Sequence, residues 1–298
     1  MARLSCAVMV NGHLLVRADE VVLRDAWPAL ARGLRRAELV GGTVGAVHSG
    51  LGIAQLSTDG HIDVHVHSHE EAFYVLQGEP VLVIGGRGVR LEPGACGVVP
   101  VGVEHAWRGG GRWIDMRSPR PREDGSDTFA LATLGDVEVD ELDLRDPRNR
   151  HLFALREADM DTTALAQGAA AGAPSVSASM ATAALLYSGI TVKMLVDGRL
   201  DAQLLTMFMV DYRPGAVAHP HDHPFEESYV MLDGEVDVLA DGERHTLRTG
   251  DVFWTAVGCV HAFYEMRGGT ARWLETSAPQ PPGRHSYRFE RDWERLRG

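Results

Sequence analysis

The sequence predicts an all-β protein made of two tandem copies of one barrel- or sandwich-like domain, with a few short helices added. Three observations carry that prediction. The chain repeats itself at a fixed offset. Each copy reads as short strands separated by glycine turns. And each copy holds histidines at alternate positions, the period of a β-strand.

The repeat comes first because everything else depends on it. A shift of 156 residues superimposes His65, His67 and Glu71 on His221, His223 and Glu227. Gly78, Gly94, Gly102 and His105 fall on Gly234, Gly250, Gly258 and His261 without a gap, and 14 of 42 positions between 65 and 106 are identical in the shifted copy. Glycines and metal-type residues dominate the matches.

The chain can be read in order. DAWPALARGLRRAEL (25–39) has apolar residues at helical spacing behind Asp25 as N-cap, and predicts a helix. The first copy follows, with turns at Gln77-Gly78 and Gly85-Gly86. PRPREDGSD (119–127) is proline-rich and charged and reads as the join, giving domains 1–125 and 126–298. ALAQGAAAGAPSVSASMATAALL (164–186) is nearly all small residues; it is a loose connection or a lid over the second site. The second copy has EESYVML, then EVDVLA, RHTL and GDVFWTAVG, punctuated by Asp233-Gly234 and Asp241-Gly242. Such Asp-Gly turns between β-branched and aromatic runs are hairpin signals. RFERDWERLR at the C-terminus reads as a short amphipathic helix.

Composition narrows the function. The 298 residues are 45% apolar, enough for real cores. A formal net charge of -12 argues against nucleic acid and against an anionic membrane surface. Lys193 is the sole lysine, which nearly excludes Schiff-base chemistry. Cys6, Cys96 and Cys259 are too scattered for a disulfide framework or a cysteine metal site. No signal peptide or ~20-residue apolar span is seen, so the expected location is the cytoplasm.

The histidines point to a metal. Two imidazoles at i and i+2 share one face of a strand, about 7 Å apart. A glutamate four residues on and a distant histidine complete each set: His65, His67, Glu71 and His105; His221, His223, Glu227 and His261. Three neutral nitrogens and one carboxylate suit a divalent transition ion, and a site with open positions is what catalysis needs. Neutral imidazole is required, so protons compete as pH falls toward the ordinary histidine pKa of about 6.5.

These residues resemble the two motifs of the cupin superfamily. Gly215, His221, His223, Glu227 and Gly234 match every position of the first motif; His65, His67, Glu71 and Gly78 match it with the leading glycine displaced to Gly60. Gly94, Pro100, Gly102 and His105 match the second motif, and Gly250, Gly258 and His261 match it with Ala256 in place of the proline. The resemblance implies a bicupin: two tandem double-stranded β-helix, or jelly-roll, barrels holding up to two divalent ions per chain (Fe, Mn, Ni or Zn). It also implies an enzyme on a small organic substrate, an oxygen-dependent dioxygenase of the quercetinase-like kind. The alternatives are a manganese hydrolase resembling (S)-ureidoglycine aminohydrolase and a non-enzymatic metabolite-binding bicupin. A homodimer fits the same expectation.

The second site is expected to be catalytic, with Glu227 as both ligand and proton acceptor. His219, Phe225, Tyr229, Trp254 and Phe263, with neighbouring Tyr264, are read as its substrate pocket, against the alternative that the aromatics are core. His69 and His219 lie on the ligand faces by alternation and would orient a ligand or water. Glu70 and Glu226 alternate away and read as solvated or structural. Cys259 reads as a small core residue.

Overall fold

The computed structural model describes residues 12–146, 148–160, 187–264, 269–280 and 288–289. The first copy comprises β2 (Arg24–Asp25), β3 (Ala31–Val40), β4 (Gly50–His67), β5 (Glu70–Gly78), β6 (Val81–Ile84), β7 (Arg87–Arg90), β8 (Ala95–Val99), β9 (His105–Arg108) and β10 (Gly111–Ser118), after a leading strand β1 (His13–Val16). Then come β11 (Thr128–Ala132), β12 (Val139–Asp140) and β13 (Leu152–Ala154). The second copy comprises β14 (Tyr187–Val196), β15 (Thr206–Asp222), β16 (Glu226–Asp233), β17 (Glu235–Ala240), β18 (Glu243–Arg248), β19 (Val252–Thr255), β20 (His261–Tyr264), β21 (Ala271–Ala278) and β22 (Arg288–Phe289). The strands form two curled sheets, and the helical turns among the described residues are short 3-10 pieces such as Gly42–Val44 and Gly198–Leu200. No helix among them is long and apolar enough to cross a membrane.

The repeat survives in three dimensions. From β3 to β9 the elements recur at the offset of 156, and β10 recurs as β21 four residues later. The glycine turns explain why the spacing is kept. Gly78 and Gly234 have φ of 77° and 76°, and a Cβ would meet the carbonyl oxygens of Gly110 at 2.5 Å and Thr270 at 2.2 Å. Asp241 and Gly242 both have positive φ, as do Gly85 and Gly86, the backbone of a tight type I′ hairpin.

One expectation is corrected. Residues 25–39 are not a helix: β3 pairs with β4 from Ala31↔Ile62 to Val40↔Leu51. Register shifts between Arg32 and Leu34 and between Glu38 and Val40 break the alternation. Leu30, Leu34 and Ala37 are therefore buried at intervals of four and three, which imitates a helical stripe. Strand pairing also crosses between the two halves of the chain. Strands β11, β12 and β13 pair with β4, β7 and β8 of the first copy, while β1 pairs with β19 of the second. Thus β1, ahead of the first copy, joins the second copy's sheet, and β13, ahead of the second copy, joins the first copy's sheet. Of the expected C-terminal helix, Arg288–Phe289 form strand β22 and the remainder lies outside the described residues, as do segment 164–186 and Cys6.

Three large apolar cores lie among the described residues, beside a small cluster of Val81, Val83 and Ala106. One fills the first barrel around Leu82, Trp107 and Trp113; one fills the second around Tyr212, Phe253 and Trp273. The third lies between the halves and joins Val40, Leu51 and Met116 to Leu195, Met207 and Leu274. A fully buried side chain of this size contributes about 1.5–3 kcal/mol, so the two halves stabilise each other.

Candidate metal centres

In the first barrel, β4 delivers His65 and His67 and β9 delivers His105, all buried. A register shift between Ile62 and His65 turns the end of β4 inward. His65 Nδ1 donates to the Asp63 carbonyl at 2.7 Å, and His105 Nδ1 donates to the Val103 carbonyl at 3.0 Å. Those bonds fix the tautomer and leave Nε2 with its lone pair. His67 Nδ1 meets the Thr128 hydroxyl at 3.0 Å. One ligand atom from each of the three rings lies within 4.8 Å of the others. The Nε2 atom of His105 is buried without a hydrogen-bond partner, and that of His67 has only the Glu71 carboxylate, 3.3 Å away. Buried polar atoms of this kind normally find a partner, so the donor set fits a metal ion.

Glu71 completes the set, with Oε2 3.3 Å from His67 Nε2. Burial alone would raise its pKa; the hydrogen bond and charge of His67, with His105 and Arg117, outweigh burial and hold the carboxyl well below the usual range. His69 stacks on His67 at 4.3 Å and sits 3.5 Å from Asp127. The stretch read as a linker therefore ends against the first site, through Asp127 and Thr128.

The second barrel repeats the arrangement. His221 Nδ1 donates to the His219 carbonyl at 2.5 Å, and His261 Nδ1 to the Cys259 carbonyl at 3.0 Å. Ligand atoms of His221, His223 and His261 lie within 4.8 Å of one another. Glu227 Oε2 is 3.3 Å from His223 Nε2 and 3.4 Å from His261 Nε2. Burial raises the Glu227 pKa, but His223, His261 and Tyr229 together bring it down to about 2.

The two sites differ in what surrounds them. Tyr229 donates its hydroxyl to Glu227 Oε2 at 2.6 Å and lies 3.0 Å from His261 Nε2. At the matching place in the first copy stands Phe73. Glu275 comes up from β21, takes the Trp273 indole N–H at 2.9 Å, and is pushed well above the usual carboxyl range by burial and by the charge of Glu227. Its counterpart by strand register is Asp115, which pairs with Arg36 and with Arg117 Nε at 3.0 Å. In the second copy Val192 and Ser277 occupy the places of those arginines. The second barrel thus keeps a carboxyl beside its histidine triad that no arginine among the described residues neutralises.

That carboxyl lines a cavity of about 20 Å³ together with Phe208, Tyr212, His221, Tyr229 and Phe263. The corresponding space in the first barrel is about 10 Å³ and is lined by Arg36, His65, Glu71, Trp107 and Asp115.

The expected pocket residues divide. Tyr229 and Phe263 line the cavity. Phe225 is buried and stacks on His223 at 4.6 Å, at the position that His69 holds over His67. Trp254 is not brought to the site: it points into the core between the halves, because β19 alternates and sends its neighbour Phe253 into the barrel. His219 is half-buried. A register shift between Ala218 and His221 takes it out of simple alternation, and its carbonyl, not its ring, is what His221 uses. Tyr212, Trp273 and Glu275 escaped the sequence reading. A glutamate alternating with Trp273 and Ser277 in an apolar strand was the signal available for Glu275.

Two barrels, each with three histidines and a glutamate converging inside, define a duplicated β-barrel protein with a candidate metal centre in each half. Residues 52–116 and 208–277 both match the cupin domain, and the chain is a bicupin. No curated protein sequence is significantly similar to it. Among solved structures, salicylate 1,2-dioxygenase from Pseudoaminobacter salicylatoxidans with gentisate adducts is similar with a TM-score of 0.66 and 15% identity, over 90% of this chain and 81% of that one. Oxalate decarboxylase from Bacillus subtilis is similar with a TM-score of 0.62 and 14% identity, over 94% of this chain and 79% of that one. At such identities the likeness speaks for the fold.

Proposed function

We propose that this bicupin is a metal-dependent enzyme acting on a small organic substrate, that its second barrel is the catalytic one, and that the reaction is an oxygen-dependent dioxygenation. The observation that carries the reading is the group of Glu227, Tyr229 and Glu275 around one histidine triad, facing an aromatic cavity. A divalent transition ion held by His221, His223, His261 and Glu227 would supply an open coordination position and Lewis-acid or redox chemistry. The residues supply the rest. Glu227 Oε2 accepts a proton and Tyr229 hands one over across 2.6 Å. Phe208, Tyr212 and Phe263 exclude water and favour a flat, apolar substrate face. A cavity of about 20 Å³ holds little beyond a water molecule, so substrate entry requires side-chain movement.

A hydrolytic or otherwise non-redox reaction is the second reading. It is favoured by the pairing of an ionised Glu227 with a carboxyl, Glu275, whose pKa is raised: two such groups serve as base and acid without any redox change. The test is oxygen uptake by protein reconstituted with Fe, Mn, Ni or Zn, against salicylate, gentisate, oxalate and related small acids. Uptake stoichiometric with product supports the dioxygenase. Equal turnover with and without oxygen moves the assignment to the second reading. No turnover with any substrate while metal binds would favour the metabolite-binding alternative.

A further inference from the structure

We propose that His13, Glu243 and His245 form a further site for a divalent transition ion of the zinc type, distinct from both histidine triads. His13 lies on β1, the leading strand that crosses from the first copy to pair with β19; Glu243 and His245 lie on β18. His13 Nε2 and His245 Nε2 face each other at 3.0 Å. Glu243 Oε2 stands 3.7 Å from the first and 3.8 Å from the second. It is therefore nearly equidistant from the two nitrogens, and too far from either for a good hydrogen bond.

That is the shape of a ligand set around a common point. An ion with tetrahedral bonds of about 2.0–2.1 Å separates its donor atoms by about 3.4 Å, and small side-chain movements reach this from the distances present. Two imidazoles and one carboxylate suit zinc and leave a fourth position for water. The His13 side chain is only 4% exposed, and its Nδ1 is buried with no hydrogen-bond partner. Asp241 also brings a carboxylate oxygen within 4.8 Å of a His13 ring nitrogen.

The site does not come from the duplication. At the offset of 156, Arg87 and Val89 stand where Glu243 and His245 do, so the first half has no equivalent. What an ion would do here follows from the strands it joins. It would clip the exchanged strand of the first copy to a hairpin of the second and stabilise the folded chain by mass action.

The test is equilibrium dialysis of the full-length protein against zinc, with elemental analysis, for the wild type, His245→Ala and Glu243→Gln. Both altered side chains are at least partly exposed, so the variants should fold. The wild type should bind one zinc more per chain than His245→Ala. Glu243→Gln should weaken that same equivalent tenfold or more. Zinc should also raise the melting temperature of the wild type more than that of His245→Ala. Equal zinc content and equal zinc-induced shifts in wild type and His245→Ala would overturn the proposal.

Discussion

Glu70 and Glu226 each reach out of their own barrel and grip the other at equivalent places. Glu70 accepts the backbone N–H of Gln203 at 2.8 Å and of Leu204 at 3.1 Å. Glu226 accepts those of Val47 at 2.6 Å, His48 at 3.2 Å and Ser49 at 3.0 Å, with the Ser49 hydroxyl at 2.6 Å. Acceptors and donors are both related by the 156-residue offset, so the two clamps are one contact made twice. With the exchanged strands β1 and β13, they join the barrels into a single mechanical unit.

The first prediction follows from that clamp. Glu226→Ala leaves the part-buried N–H groups of Val47 and His48 and the buried N–H and hydroxyl of Ser49 without their acceptor, which should cost about 3 kcal/mol of stability. Because the contact holds both halves, urea unfolding followed by tryptophan fluorescence should keep a single transition at a lower midpoint. Two separated transitions in the wild type would contradict the shared unit.

The second concerns pH. Burial, with the neighbouring imidazoles, lowers the pKa of His65 to about 3 and of His105 to about 4. Unfolded histidine titrates near 6.5, so between these values the unfolded chain binds more protons than the folded one. Stability of the metal-free protein should therefore be complete above about pH 7 and fall as pH drops from 6.5 toward 4. The same shifts mean that protonation of the folded site opposes metal binding at a lower pH than the ordinary histidine value suggests. Thermal melts of chelator-treated protein from pH 7.5 to 5 should show a steadily declining midpoint; a flat profile would count against neutral buried imidazoles.

How far the sequence carried the reading depends on which signal was local. His65, His67 and His105, and their partners at 221, 223 and 261, were legible because motif spacing and the repeat coincide. The hairpin turns were legible because Asp241-Gly242 can hardly do anything else. The strand at 31–40 was not, since two register shifts erase the period of two. Trp254 was misplaced because its sheet face is decided by partners from the other half, notably β1, which is distant in sequence. Glu70 and Glu226 pointed away from the ligands as alternation requires, but their burial against the other barrel depends on an interface no local pattern shows.

The third prediction tests the arginine lock of the first barrel. Asp115 is 3% exposed and held by Arg36 and Arg117. Replacing Arg36 by Val, the residue at the matching place in the second copy, leaves a buried carboxylate with one partner fewer. Breaking such pairs costs about 3–5 kcal/mol, and Arg117 keeps part of it. Denaturant melts should show a loss near the lower bound, and Arg36→Val combined with Asp115→Ala should recover part of that loss. No recovery would mean that Arg36 acts by packing alone.

The fourth addresses Tyr229. Its hydroxyl touches both Glu227 and His261, so Tyr229→Phe makes the second site resemble the first. The ring still packs against Phe253 and Phe263, so folding and metal content should hold. Turnover should fall on the order of 10²-fold, the usual contribution of a positioned proton donor. Unchanged turnover with full metal occupancy would assign the hydroxyl to ligand orientation only.

The last prediction decides which barrel reacts. Glu227 is the candidate anionic ligand of the site that also holds Tyr229 and Glu275, and Glu71 is its counterpart in the site where Phe73 and an arginine-paired Asp115 take those places. The second site can move protons; the first has its nearby carboxylate neutralised and a phenyl ring where a hydroxyl would be. Glu227→Gln removes the charge and the proton acceptor while keeping the shape, so turnover should disappear even where some metal is retained. Glu71→Gln should lower metal content or stability of the first half and leave most of the activity. Metal occupancy has to be measured for each half beside turnover, for example in crystals of each variant at a metal absorption edge. An inactive Glu71→Gln beside an active Glu227→Gln would reverse the assignment and make the first barrel the reacting one.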